Sequence, residues 1–166
     1  MNRLEKLYED WTKMRPLKFI LVTTLLTIIL TMPIAIALKI IGIQGGEIGR
    51  PNFEKYGVIV TLILIVIIAP IIETFLGQVL PIYLTNRLIK AKTKLVGISI
   101  STILFSLLHL GYSVWYSILI IPTAALLAMT YVIFQDRKES SYWMTTSVHS
   151  LKNLIALLFT LGQILK

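Results

Sequence analysis

The sequence predicts an all-α fold, a polytopic transmembrane helical bundle of about five spans. Three observations carry that expectation. The composition is 56% hydrophobic and only 14% charged, the mean hydropathy is +0.82, and apolar runs of about 20 residues, long enough to cross hydrocarbon, recur along the chain. Such a make-up lies well away from that of an ordinary soluble domain. The 166 residues suit one compact membrane domain, 1–166, without an internal repeat, low-complexity tract or inter-domain linker. The absence of cysteine excludes disulfides and thiolate metal sites.

Residues 1–16 read as a basic segment ahead of the first span, Leu17 to Ile43. A basic start, an apolar run and Ala35-Ile36-Ala37 resemble a secretory signal. The charged leader is long, however, and the apolar run continues past the would-be cleavage site, so this span is read as retained. The stretch GIQGGEIGRPN, Gly42 to Asn52, is the one flexible loop. The second span, Gly57 to about Leu84, holds Pro70 and Pro81. Each removes a backbone donor, so a bent or interrupted helix is expected whose freed carbonyls need protein or water around them. The third span, Leu95 to about Leu110, and the fourth, Trp115 to Phe134, are separated only by Gly111 to Ser113, which suits a tight turn between antiparallel helices. Trp143 to Leu165 is the fifth span.

The basic residues set the orientation. Arg3, Lys6, Lys13, Arg15 and Lys18, then Arg87, Lys90, Lys92 and Lys94, then Arg137 and Lys138 fall on one side of the five spans. In loops or the tail, only Arg50, Lys55 and Lys166 fall on the other. The positive-inside pattern then makes the N-terminus cytoplasmic and sends the C-terminus out. The net charge of +8 follows from topology, and the expected partner is the bilayer with its anionic lipid, not nucleic acid.

Within the spans, Glu73 stands in the apolar stretch APIIETFLGQVLP. A carboxylate near the centre of a bilayer costs at least a few kcal/mol and survives only beside a partner, a proton or water. Thr74 and Gln78 follow it four apart on the same span. Ser99, Thr102, Ser106 and His109 recur at threes and fours on the third span, and Thr145, His149 and Asn153 repeat at fours on the fifth. Three polar stripes cannot favourably face lipid, so they are expected to meet around a wet cavity. Any one Ser, Thr, His or Asn has a bland reading as a backbone or interhelical bond. Lys152 has two, as a salt-bridge partner of Glu73 or as a snorkelling side chain. Together, a carboxylate, two imidazoles and a carboxamide supply a base, proton carriers and hydrogen-bond donors.

Three motifs resemble those of the CPBP intramembrane proteases, the family that includes the type II CAAX prenyl endopeptidases and bacterial bacteriocin-processing or immunity-associated (Abi) proteins. ETFLGQ, Glu73 to Gln78, looks like the first family motif in an E-T-x-x-x-Q variant, with Thr74 and Gln78 where a second glutamate and an arginine are commoner. FSLLH, Phe105 to His109, looks like the second, and HSLKN, His149 to Asn153, like the third. Order, spacing and placement on successive membrane segments agree, which puts a family-like catalytic core at 67–158. The resemblance implies hydrolysis of a peptide bond in a membrane-associated protein or peptide, with the bacterial plasma membrane as the expected location. Glu73 would act as general base assisted by His109, His149 and Asn153 would donate to the oxyanion, and Thr74, Gln78 and Phe105 would support the site. No cofactor is favoured. Zinc on two histidines and a glutamate is the other possibility, but the ligands would come from three helices without an H-E-x-x-H pair, and Glu73 would be lost as a base. Two other classes stay open: a non-catalytic immunity or scaffold protein of the same fold, and a small proton or solute carrier using Glu73 and the histidines as a relay. The lack of an evident repeat argues against common carrier architectures.

Overall fold

The computed structural model describes residues 3–43, 53–89 and 94–164, and every regular element among them is helical. The expected loop at Gly42 to Asn52 lies outside the described residues from 44 onward, as do Lys90, Lys92 and Lys166. Helix α1 (Arg3–Thr12) leads into α2 (Pro16–Ile40), which opens on a proline whose missing N–H costs nothing in a first turn. Helix α3 occupies residues 53–89, with a break at Gly57, whose φ of 71° suits a glycine. Helix α4 (Lys94–Leu108) continues as a single 3₁₀ turn, His109–Gly111. Then come α5 (Val114–Leu119), α6 (Ile121–Phe134) and α7 (Ser141–Ile164).

Three segments, Pro16–Ile40, Tyr56–Leu88 and Lys94–Gly111, are long and apolar enough to cross a membrane. Their outer faces expose Leu21, Leu25 and Ile29, then Ile59, Ile63 and Ile67, then Ile103 and Leu107. An apolar surface of that extent is stable against lipid tails and not against water. The protein is therefore an all-α, integral membrane protein. Helix α6 lies at its centre, packed on α2, α4 and α7. Thr123, Ala124, Leu127, Ala128, Thr130 and Phe134 are all buried, so α6 is enclosed nearly all round, as an evenly apolar helix should be.

The fourth predicted span is not one helix. Its residues divide at Ile120 into α5 and α6. Pro122 has no N–H and its ring would clash with the carbonyl four residues back, so α5 closes first and α6 restarts with the proline in its opening turn. The Gly111 to Ser113 break falls where expected. There Ser113 is extended and its Oγ caps α5 by accepting from the Tyr116 N–H at 3.0 Å.

Helix α3 carries the expected interruptions as π-helical turns, Leu64–Ile68, Phe75–Val79 and Thr85–Ile89. The first two precede Pro70 and Pro81 closely. Ala69 N–H bonds Leu64 O and Leu80 N–H bonds Phe75 O, each five residues back, which widens the turn where a proline ring must fit. The next donor in the first of these registers would serve Ile65 O, but it belongs to Pro70. Asn153 Nδ2 of α7 donates to that carbonyl instead, at 3.1 Å. Near Pro81, Gly77 O accepts from Ser101 Oγ of α4 at 2.6 Å. Neighbouring helices thus satisfy backbone groups that lipid could not.

One end of the bundle gathers the basic segments. Arg137 Nη1, on the α6–α7 connection, donates to Thr12 O and Met14 O at 2.9 Å each, and Lys94 pairs with Asp136. The Arg137 guanidinium also bonds Glu139 and holds its carboxyl below the ordinary range. Trp11 stacks on Phe19 with centroids 5.3 Å apart and donates its indole N–H to Thr23 Oγ1 at 2.9 Å, which fastens α1 against α2.

Candidate active site

Glu73 sits on the short α-helical stretch Ala69–Thr74, between two π-helical turns. Its side chain retains 24% exposure, all that separates it from full burial. One carboxylate oxygen, Oε2, lies 3.4 Å from His109 Nε2 and 3.5 Å from His149 Nε2. The three motifs, spread over α3, α4 and α7, therefore converge on one atom.

His109 is oriented from behind. Its Nδ1 lies 2.8 Å from Phe105 O, one helical turn back. A carbonyl only accepts, so Nδ1 carries a proton; when the ring is neutral, Nε2 then presents a lone pair to Glu73. A carboxylate oxygen and an imidazole lone pair that face each other need a shared proton, or a molecule such as water that donates to both. That is the arrangement a hydrolytic base requires. His149 is buried, and its Nδ1 has no hydrogen-bond partner among the described residues. The Phe105 ring backs both imidazoles, at centroid distances of 4.7 Å from His109 and 5.6 Å from His149.

These groups open onto a cavity of about 370 Å³ whose wall includes Glu73, Phe105, His109, His149, Lys152 and Asn153, with Ile28 and Met32 of α2 on the apolar side. On α7, His149, Lys152, Asn153 and Ala156 fall at i, i+3, i+4 and i+7, so one helix face supplies this wall. Tyr112 and Tyr116 stand beside His109, with ring centroids 5.9 and 5.5 Å away.

Some expected site features differ. Thr74 and Gln78 are fully buried, stand outside the cavity wall, and their side-chain polar atoms have no hydrogen-bond partner among the described residues. They do not form the hydrogen-bonded pair that four-residue spacing suggests, because Gln78 lies within the π-helical turn Phe75–Val79, which begins directly after Thr74 and shifts the register. Ser99 leaves the polar stripe of α4 and is exposed, whereas Ser101 is buried and serves Gly77 O. Thr102 and Ser106 bond carbonyls of their own helix, Ile98 O and Thr102 O. Among the described residues, no group of three His, Asp and Glu side chains is placed to hold a metal ion.

Helices lined with exposed apolar side chains, enclosing a glutamate between two imidazoles, define a membrane protein with a hydrolytic type of site. The chain belongs to the Type II CAAX prenyl endopeptidase Rce1-like family, whose model matches residues 55–155 of the 166. It has the fold of a CAAX/CPBP-type intramembrane protease, and its Glu–His cluster is consistent with a glutamate-dependent active site. Family membership together with this cluster supports enzymatic activity and a membrane-associated substrate. No curated protein and no solved structure gives a significant match.

Motif reading missed Gly77, Ser101 and the two tyrosines. Small residues facing each other on neighbouring membrane helices were the available signal for Gly77 and Ser101. A Cβ built on Gly77 would lie 2.3 Å from Phe105 Cδ2 and within 3.3 Å of Phe105 Cβ and Cγ, so the ring cannot simply swing its tip away. Gly77→Ala is accordingly expected to destabilise the protein by about 1–3 kcal/mol through overpacking. It should also lower turnover by displacing the ring behind His109 and His149. Thermal unfolding in detergent, compared with Gly162→Ala, where a Cβ meets nothing within 4 Å, checks this. Equal unfolding temperatures for the two variants would contradict the close approach.

Proposed function

We propose that this protein is an intramembrane endopeptidase in which Glu73 is the general base. The observation that carries the reading is the approach of His109 Nε2 and His149 Nε2 to a single Glu73 oxygen at the wall of a largely apolar cavity. In the proposed reaction, water donates one O–H to the Glu73 carboxylate while the His109 lone pair accepts the other and orients the oxygen. As the water proton passes to Glu73, the oxygen bonds to the scissile carbonyl carbon. His149 Nε2–H and Asn153 donate to the developing oxyanion. Asn153 spends one amide hydrogen on Ile65 O and keeps a second for this purpose. Collapse breaks the C–N bond, and the proton held by Glu73 leaves with the amine. Thr74 and Gln78 support the segment behind the base by packing, and Phe105 supports the two rings.

The substrate in this reading is a membrane-associated protein or peptide. Incubating the detergent-purified chain with a panel of membrane-anchored peptides, and identifying products by mass spectrometry, tests it. Cleavage at defined bonds is expected; intact peptides throughout would leave the scaffold or carrier readings.

The proposed architecture is a single domain, 1–166, with residues 67–158 as catalytic core and five crossings made by α2, α3, α4, α5 with α6, and α7. The cytoplasmic side in this topology is the end where Arg137 meets the α1–α2 link and Lys94 meets Asp136. Residues 1–16 then form a cytoplasmic basic segment in a bacterial plasma membrane. Single cysteines replacing Asn86 and Gly46 are expected to show opposite access to an impermeant thiol reagent. Labelling of both from one side would reject the topology.

A further inference from the structure

We infer that Lys152 is a specificity-determining residue whose ammonium group binds a carboxylate of the substrate, within about two residues of the bond that is cut. The inference rests on the protease reading and extends it to the substrate. Lys152 lines the same cavity as Glu73, one turn along α7 from His149 and adjacent to Asn153. It stands midway along that 24-residue helix, about 17 Å from either end at 1.5 Å per residue, farther than a lysine stem reaches by snorkelling. The simple ion pair is absent too. No carboxylate among the described residues lies within 4 Å of its Nζ, and Glu73, the acid that acts on it, lines the same cavity with its Oε2 placed between the two imidazoles.

A cation in an apolar, low-dielectric cavity requires a counter-charge. The described residues provide none in contact, and in the protease reading the occupant of the cavity is a peptide. The anion that a peptide itself carries is a carboxylate, either an acidic side chain or the chain's own C-terminus. Side chains one helical turn apart have Cβ atoms about 5–6 Å apart, and an extended peptide advances about 3.3–3.6 Å per residue. A carbonyl placed at His149 and Asn153 therefore brings a carboxylate one or two residues away under Lys152.

The test uses the full-length chain in detergent micelles and three fluorescent, N-acylated apolar hexapeptides. One ends in a carboxylate, one in an amide, and one in an amide but with a single aspartate. Binding is read by fluorescence anisotropy and cleavage by mass spectrometry. At least one carboxylate peptide should bind about tenfold or more tightly than the neutral peptide, and which one does identifies the source of the carboxylate. Lys152→Met should abolish the preference, and Lys152→Arg should restore part of it. Equal binding of charged and neutral peptides by the unaltered protein overturns the inference, as does a preference that survives in Lys152→Met. So does a uniform fall in kcat with a shifted pH profile and an unchanged preference, which would make Lys152 a modulator of Glu73. A carboxylate preference without cleavage of any peptide leaves the anion site standing and removes the protease reading; cleavage without preference does the reverse.

Discussion

Replacing Glu73 by Gln is expected to lower peptide cleavage by at least about 10²-fold, the least that loss of a general base costs, while the protein still folds and inserts. The substitution keeps the size of the side chain and one carbonyl oxygen. It also supplies an amide N–H to the His109 Nε2 lone pair that faces Glu73 at 3.4 Å, so the polar contact is kept while the proton acceptor is lost. The loss should fall on kcat, because in the proposed reaction the carboxylate works on water and not on the bound peptide. Yield, detergent monodispersity and thermal unfolding of the variant should match those of the parent. A parallel His109→Ala variant is expected to lose turnover as well, since it removes the group whose Nδ1 is anchored on Phe105 O and whose other nitrogen orients the water in the proposed reaction. Undiminished biological activity in Glu73→Gln would make the fold a scaffold whose cavity serves binding alone.

How far the sequence anticipated this site depends on the kind of information involved. Glu73, His109, His149 and Asn153 were legible because helical spacing and motif order are one-dimensional, and no other acidic residue stands in an apolar run of comparable length. The limits of α2, and of the third span up to its 3₁₀ turn, were legible for a similar reason: an apolar run ends where charges or a glycine begin. The internal geometry of α3 was readable only in part. Pro70 and Pro81 announce that donors are missing, but which side chain answers the freed carbonyl depends on helices far away in sequence, Asn153 in one case and Ser101 in the other. The same π-helical register defeats the four-residue rule that joined Thr74 to Gln78. On α4 the polar spacing was real, yet an almost uniformly apolar helix offers little to say which small polar residue faces inward, so Ser99 was taken where Ser101 is buried. The break between α5 and α6 follows from Pro122, a residue that hydropathy alone passes over.

Replacing Asn153 by Ala separates its structural bond from its proposed catalytic duty. Its Nδ2 bonds Ile65 O, so the variant leaves a partly buried carbonyl at the cavity wall without that partner, at a cost of about 1 kcal/mol. If it also donates to the oxyanion, turnover per folded molecule should fall by about 10²-fold or more with substrate affinity less affected, the usual result of deleting such a donor. The unfolding temperature reports the first duty and kcat the second. A lowered unfolding temperature with kcat intact would confine Asn153 to tying α7 onto α3 beside Pro70. The same preparations decide between water activated by Glu73 and water activated by zinc. The glutamate mechanism expects purified, active protein without stoichiometric metal, indifferent to prolonged chelation, and the Asn153→Ala variant should not change metal content. Reversible inactivation by a strong chelator, restored by zinc and accompanied by one bound zinc per chain, would overturn it. Glu73 and the two histidines, whose Nε2 atoms stand 3.4 and 3.5 Å from its oxygen, would then be ligands, and the base would have to be sought elsewhere in the cavity.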